Sequence, residues 1–210
     1  MDSTLLTKKT AETEYEIDDI LKERYSPRVF SDMPISDADL HILLEAGRWA
    51  ASSNNLQPWR IIWGVKGSET YNRIFNCLDE FNQSWAGNAP VLWLTAIKKT
   101  LPNGKENFHA LHDLGLFMGN VSVQAQKMGI GVHQMAGIKF EEAKKEFELP
   151  EDFHVVTGVS IGYYGGDVDL LPEDLRDMER GSTRERMPQV EFAFNGNYVE
   201  RADIDGEEVS

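Results

Sequence analysis

Ser52-Ser53-Asn54-Asn55-Leu56-Gln57-Pro58-Trp59-Arg60 joins a helical pattern that runs to about Ala51 to an apolar run over residues 61–65. Two serines, two asparagines and a glutamine crowd this junction, and Pro58 closes it. Ser and Asn side chains bond to nearby backbone, which favours caps and turns. One reading is a plain loop between a helix and a strand. The other is a lining for a polar heterocycle, since many adjustable donors and acceptors stand beside a Trp and an Arg. The flanking chain decides between them.

Upstream, Ser36 and Asp39 resemble a capping box with Asp in place of Glu. They open a helix whose Leu40, Leu43, Leu44 and Gly47 share a face. Residues 15–24 give a shorter helix with Ile17, Ile20 and Leu21 on one side. Between the two lies Arg24-Tyr25-Ser26-Pro27-Arg28-Val29-Phe30. Pro27 pushes Ser26 out of the helical region, and an extended segment places Arg24, Ser26 and Arg28 on one side.

Downstream, residues 59–65 read as a buried strand, Ser68 caps a helix running through Phe81, and residues 90–97 form a second strand. A polar loop over 98–105 leads to the longest helical signal, 106–128, where Leu111, Leu114, Met118, Val121, Ala125 and Met128 recur at spacings of three and four. Gly115 and Gly119 lie one turn apart on a neighbouring face. Glycine lowers helix stability, so this pair suggests a close backbone approach, by another subunit or in a tight intramolecular crossing. Gly129-Ile130-Gly131 ends the helix. Residues 132–138 read as a short strand or loop, 140–147 as a charged helix and 155–164 as a third strand. Residues 167–183 are acidic and loop-like, and 190–194 form a possible strand. Trp49 and Trp59 read as core. Helices and strands interleave, so the expected class is α+β, a mixed α/β sheet covered by helices. A single domain over 15–198 follows a flexible N-terminus, 1–14, and precedes an acidic tail, 199–210.

The chain has 210 residues, 41% of them hydrophobic, enough for a sizeable core. Its net charge of −14 argues against non-specific nucleic-acid binding and against an anionic membrane surface. The single cysteine, Cys77, excludes an internal disulfide framework and fits a reducing cytoplasm. It reads as a buried, inert thiol. The first ten residues lack a secretory apolar core, and no run reaches transmembrane length. The five histidines form no metal-ligand cluster.

In so acidic a chain, closely spaced arginines call for a partner. Arg24, Ser26 and Arg28 form one set; Arg184 and Arg186 form another. Guanidinium forks beside a hydroxyl suit a phosphate, while pairing with the abundant surface carboxylates is the alternative. There is no P-loop and no G-x-G-x-x-G after a strand. No protein nucleophile stands out, so in an enzyme a bound cofactor would carry the hard step.

Four motifs, in order over residues 17–194, resemble the nitroreductase family of flavin mononucleotide (FMN) enzymes. They are Arg24-Tyr25-Ser26-Pro27-Arg28, Ala51-Ser52-Ser53-Asn54-Asn55-Leu56-Gln57-Pro58-Trp59, Gly129-Ile130-Gly131-Val132-His133-Gln134-Met135-Ala136-Gly137 and Arg184-Glu185-Arg186-Met187-Pro188. Ala51 replaces the family's usual Pro. The resemblance implies a central, mainly antiparallel sheet flanked by helices, in an intertwined homodimer with two flavins at its interface. It implies phosphate binding by Arg24, Ser26 and Arg28, with Tyr25 beside them, completed by Arg184 and Arg186. It puts Ser52, Ser53, Asn54, Asn55 and Gln57 against the partner subunit's flavin, and the backbone of Met135, Ala136 and Gly137 near flavin N5 and O4. Asn82 or Gln83 would contact the ring or ribityl chain. Phe108, His109 or His112 would line the substrate cavity or, in the other reading, simply pack. The implied activity is ping-pong hydride transfer from NADH or NADPH, through flavin N5, to an electron-poor acceptor such as a nitroaromatic or quinone. A flavin-dependent dehydrogenase or dehalogenase, or a flavin-binding protein without turnover, are the rival readings.

Overall fold

The computed structural model describes residues 9–181 and 184–198. The 199–210 tail and residues 1–8 lie outside the described residues. A four-stranded antiparallel sheet organises the chain, in the order β1 (Trp59–Val65), β2 (Val91–Lys98), β4 (Phe153–Tyr163), β3 (Ile130–Met135). Seven α-helices surround it among the described residues: α1 (Asp19–Glu23), α2 (Asp37–Arg48), α3 (Glu69–Asn76), α4 (Glu80–Ala86), α5 (Ala110–Lys127), α6 (Phe140–Glu146) and α7 (Glu173–Arg180).

The central strand β2 explains the layering. Its side chains alternate between two cores, Leu92 and Leu94 in one and Val91, Trp93 and Ile97 in the other. Helices α2 and α5 cover the second face through Leu40, Leu43, Leu114, Phe117 and Val121. Tyr71, Ile74, Trp85, Ala143 and Leu175, from α3, α4, α6 and α7, cover the first. A strand covered on both faces reads as a continuous apolar run, which is what residues 91–97 show. Gly47 sets the α2–α5 crossing, since a Cβ there would enter the Phe117 ring.

The expected helices and strands are largely present, with changes at their ends. The 15–24 helix shortens to α1, because Tyr15, Ile17 and Leu21 are exposed and find no core to pack on. The expected 68–81 helix splits into α3 and α4. Backbone bonds from Asp79 N to Gly137 O (3.0 Å) and from Lys139 N to Cys77 O (2.8 Å) pull the chain out of helix there. The Asp79 carboxylate then caps α4 by accepting from Asn82 N at 2.8 Å. Helix α5 starts at Ala110 rather than 106, and its buried stripe holds Asp113 while Leu111 is exposed.

Three expectations are corrected. The acidic 167–183 stretch contains α7, docked through Leu175 and a buried Glu179. Residues 190–194 form no strand; a short 3-10 turn, Gln189–Glu191, stands there, exposed. Trp49 is 74% exposed, against Arg48, whereas Trp59 is core. Added Cβ atoms at Gly115 and Gly119 would meet nothing within 4 Å, so no tight crossing within the described chain explains them.

Candidate functional site

The 24–28 segment leaves α1 extended, with Arg24 at φ −60° and ψ 121°. Pro27 is buried against Gly131 of β3, where a Cβ would strike its ring. Tyr25 stacks on Tyr164 at 4.9 Å. These contacts fix the backbone and leave the Ser26 side chain exposed.

The structure gathers both arginine sets at one corner. Arg184 donates from Nη1 to the carbonyls of Lys9 (2.7 Å) and Lys22, and from Nη2 to that of Arg24 (2.7 Å). Burial, and then the charges of Arg24 and Arg186, push its pKa down. Arg28 lies over Trp85, and its buried Nε has no hydrogen-bond partner among the described residues. Its backbone N donates to Glu179 at 3.2 Å. Lys9 sits over Tyr25 and 3.9 Å from Glu179. Burial raises the Glu179 pKa and lowers that of Lys9, so desolvation outweighs the attraction within this pair. Lys9 and Arg28 thus flank one buried carboxylate, which is 3% exposed, with Arg184 close to Lys9 and Arg24 close to Arg184. An excess of guanidinium donors, one of them a buried orphan, beside a free hydroxyl fits a dianionic phosphate. Arg186 is exposed and donates to its neighbour's carbonyl.

The turn after β3 lies at α4. Asn82 Nδ2 donates to Gly137 O at 3.1 Å, and a Cβ on Gly137 would strike Asp79 and Asn82. Among the described residues the N–H groups of Ala136 and Gly137 have no acceptor. Gln83 instead donates to the carbonyls of Phe75 and Leu78, closing the end of α3. Asn82, not Gln83, is therefore at the turn. The Met135 side chain is core.

His133, on β3, joins the corner to this turn. Its Nδ1 lies 3.0 Å from Pro27 O, and its ring is 4.5 Å from Trp85. Burial, and secondarily the charge of Arg28, push its pKa to about 4 from an ordinary 6.5, against the pull of the Pro27 carbonyl. Between these values the unfolded chain holds a proton that the folded chain does not. Stability is then full above pH 6.5 and falls as pH drops toward 4, by about 2–3 kcal/mol. His133→Gln is expected to flatten the melting temperature between pH 6.5 and 5; an unchanged slope would place its cause elsewhere.

The 52–57 loop carries three non-glycine residues at positive φ: Asn54 (49°), Asn55 (56°) and Gln57 (48°). All three are exposed, while Ser52 and Ser53 are half-buried. Ser52 Oγ accepts from Gln57 N at 3.1 Å. The Ser53 N–H donates to both carboxylate oxygens of Asp113, at 3.1 and 3.2 Å. Among the described residues no hydrogen bond or ion pair connects this loop to the cationic corner. Beside it open two adjoining clefts, of about 270 and 480 Å³, which share Thr100 and Asn107. Gln57 and Arg60 edge the smaller; Ile97, Phe108 and Leu111 give the larger an apolar wall. Phe108, 84% exposed, meets the His109 ring edge-on, and His112 points outward beside Asp113. Phe108 is thus not packed into the core.

Asp113 is the residue sequence reasoning missed. A lone acid at the i+3 position of a buried stripe, Ala110, Asp113, Leu114, Phe117, was the available signal. Among the described residues no cluster of His, Cys, Asp or Glu can hold a metal ion, and no helix is long and apolar enough to cross a membrane.

Comparison with known proteins bears on this arrangement. The family model described as Nitroreductase family matches residues 21–78 and 67–163. A solved oxidoreductase containing FMN superposes with a TM-score of 0.84 at 32% identity, over 90% of this chain and 96% of that one. An NADPH-dependent oxidoreductase of Staphylococcus haemolyticus is 26% identical over 194 residues, 85% of this chain and 72% of the relative. An FMN reductase [NAD(P)H] of Bacillus subtilis is 23% identical over 202 residues, 88% of this chain and 75% of the relative.

Proposed function

Since the chain belongs to the nitroreductase family, we propose that it is an FMN-dependent NAD(P)H oxidoreductase acting by a ping-pong cycle on an electron-poor acceptor such as a nitroaromatic or quinone. The observation that carries this reading is the cationic corner with its orphaned Arg28 Nε. Arg24, Ser26 and Arg28 hold the phosphate there. Arg184, with three donors on carbonyls, fixes the segment and keeps Nε and one Nη2 proton for the anion. Arg186 adds charge. The Ala136 and Gly137 N–H groups donate to the ring, and the Asn82 amide braces their turn. Bound FMN would supply hydride acceptance and delivery at N5.

Among the described residues the 52–57 loop has no partner at the corner of its own chain, which supports a site shared between two subunits. A homodimer also gives Gly115 and Gly119 the approaching backbone they lack, and covers Leu111, Leu116 and Val123 of the same helix. The Phe108 cleft then holds the acceptor beside Gln57, with the apolar wall excluding water.

Anaerobic NADPH or NADH is expected to bleach the visible band of the flavin-loaded protein, and a quinone to restore it. A bound flavin left oxidised by both nicotinamides would sink the oxidoreductase reading. Sedimentation is expected to give a dimer; a monomer that retains FMN would contradict the shared site.

A further inference from the structure

We propose that Asp113 is a positioning residue for the cofactor, acting through the 52–57 loop; the inference rests on the flavin reading above. Asp113 is 1% exposed and sits in the buried stripe of α5. A buried aspartate ordinarily has a charged partner. Here the described chain offers no Lys or Arg. Both carboxylate oxygens accept from the Ser53 N–H, and the His112 Nδ1 is 3.5 Å away.

The loop it holds is strained. Asn tolerates the left-handed region, but Gln57 does not gain the same local bonds, and three such residues within four positions persist only where the surroundings over-determine them. Most ties within the loop are local. Asn55 N and Leu56 N reach back to Ser52 O and Ser53 O, and Gln57 Nε2 reaches Asn55 Oδ1 at 3.1 Å. Arg60 Nη1 touches Gln57 O at 3.3 Å from the adjoining strand. Among the described residues Asp113 is the one side chain outside the 52–60 stretch that bonds the loop. It ties the loop to the longest helix, which is anchored along the core. Asn54, Asn55 and Gln57 are thereby presented to solvent in a fixed arrangement before any ligand arrives. Pre-ordering of this kind raises affinity by removing the ordering cost from the binding step.

The test is an FMN titration, by quenching of flavin fluorescence, of the full-length wild type, Asp113→Ala and Asp113→Asn, with apo melting curves alongside. Asp113→Ala is expected to weaken FMN binding about tenfold or more, and Asp113→Asn, whose Oδ1 accepts the same N–H, to recover most of it. Should Asp113→Ala not fold, Ser53→Pro against Ser53→Ala isolates the donor, because Ser52 is already extended (φ −145°, ψ 152°) and tolerates a following proline. Both variants lose the Ser53 hydroxyl and only Ser53→Pro loses the N–H, so Ser53→Pro should bind FMN about tenfold more weakly than Ser53→Ala. Wild-type affinity in Asp113→Ala, or equal affinities in the two Ser53 variants, would overturn the proposal. A wild type that binds no FMN would overturn the flavin reading instead.

Discussion

Arg28→Ala is expected to raise the FMN dissociation constant roughly ten- to a hundredfold, without lowering the stability of the apo protein. A charge-assisted hydrogen bond contributes about 1.5–3 kcal/mol, which sets that range. The two effects separate because the side chain and backbone of Arg28 do different things. The backbone N–H donates to Glu179 whatever the side chain is. The side chain leaves a buried Nε without an acceptor among the described residues, so its removal relieves an unsatisfied group and offsets the lost contact with Trp85. An apo melting temperature that is unchanged or higher, with FMN binding lost, is the signature of a residue held for a ligand. Unchanged affinity would remove Arg28 from the phosphate site.

Arg184→Ala is expected to lower the stability of the apo protein as well as its FMN affinity. Its guanidinium joins the carbonyls of Lys9, Lys22 and Arg24. Truncation strands these acceptors and frees the segment that carries Arg24 and Arg28. The expected loss of apo stability is about 3 kcal/mol, a fall of roughly 6–12 °C in melting temperature for a chain this long. Arg184→Lys should recover little, since one ammonium cannot reproduce a planar fork across three carbonyls. Calorimetry of the apo protein checks this. A melting temperature within a degree of wild type would mean that Arg184 serves the anion alone.

These variants also show where sequence reading reaches and where it stops. The cap at Ser36, the strands at 59–65, 91–97 and 155–163 and the body of α5 depend on local periodicity and capping, and all are legible. Gly129 at φ 71° ends α5 as a C-terminal glycine should. The break at 77–79 depends on pairing with 137–139, sixty residues away, so no local pattern could show it. Helix α7 has one buried apolar side chain, Leu175, and leans on a buried carboxylate, which gives no apolar stripe to count. Trp49 reads as core, yet it caps the C-terminal end of α2 and lies exposed against Glu45 and Arg48. The site divides the same way. Its motifs were readable as strings, and Arg24 and Arg184 do converge. The carbonyl clasp of Arg184, the choice of Asn82 over Gln83 at the Gly137 turn and the Asp113 anchor each depend on contacts distant in sequence.

The central claim is that this corner, with a loop from a second subunit, holds FMN. Its most direct test is to purify the protein, incubate it with FMN, desalt it, denature it and quantify the released flavin by chromatography. The account predicts FMN, near one molecule per chain, and less from Arg28→Ala. A desalted protein that is folded, dimeric and free of flavin would contradict it.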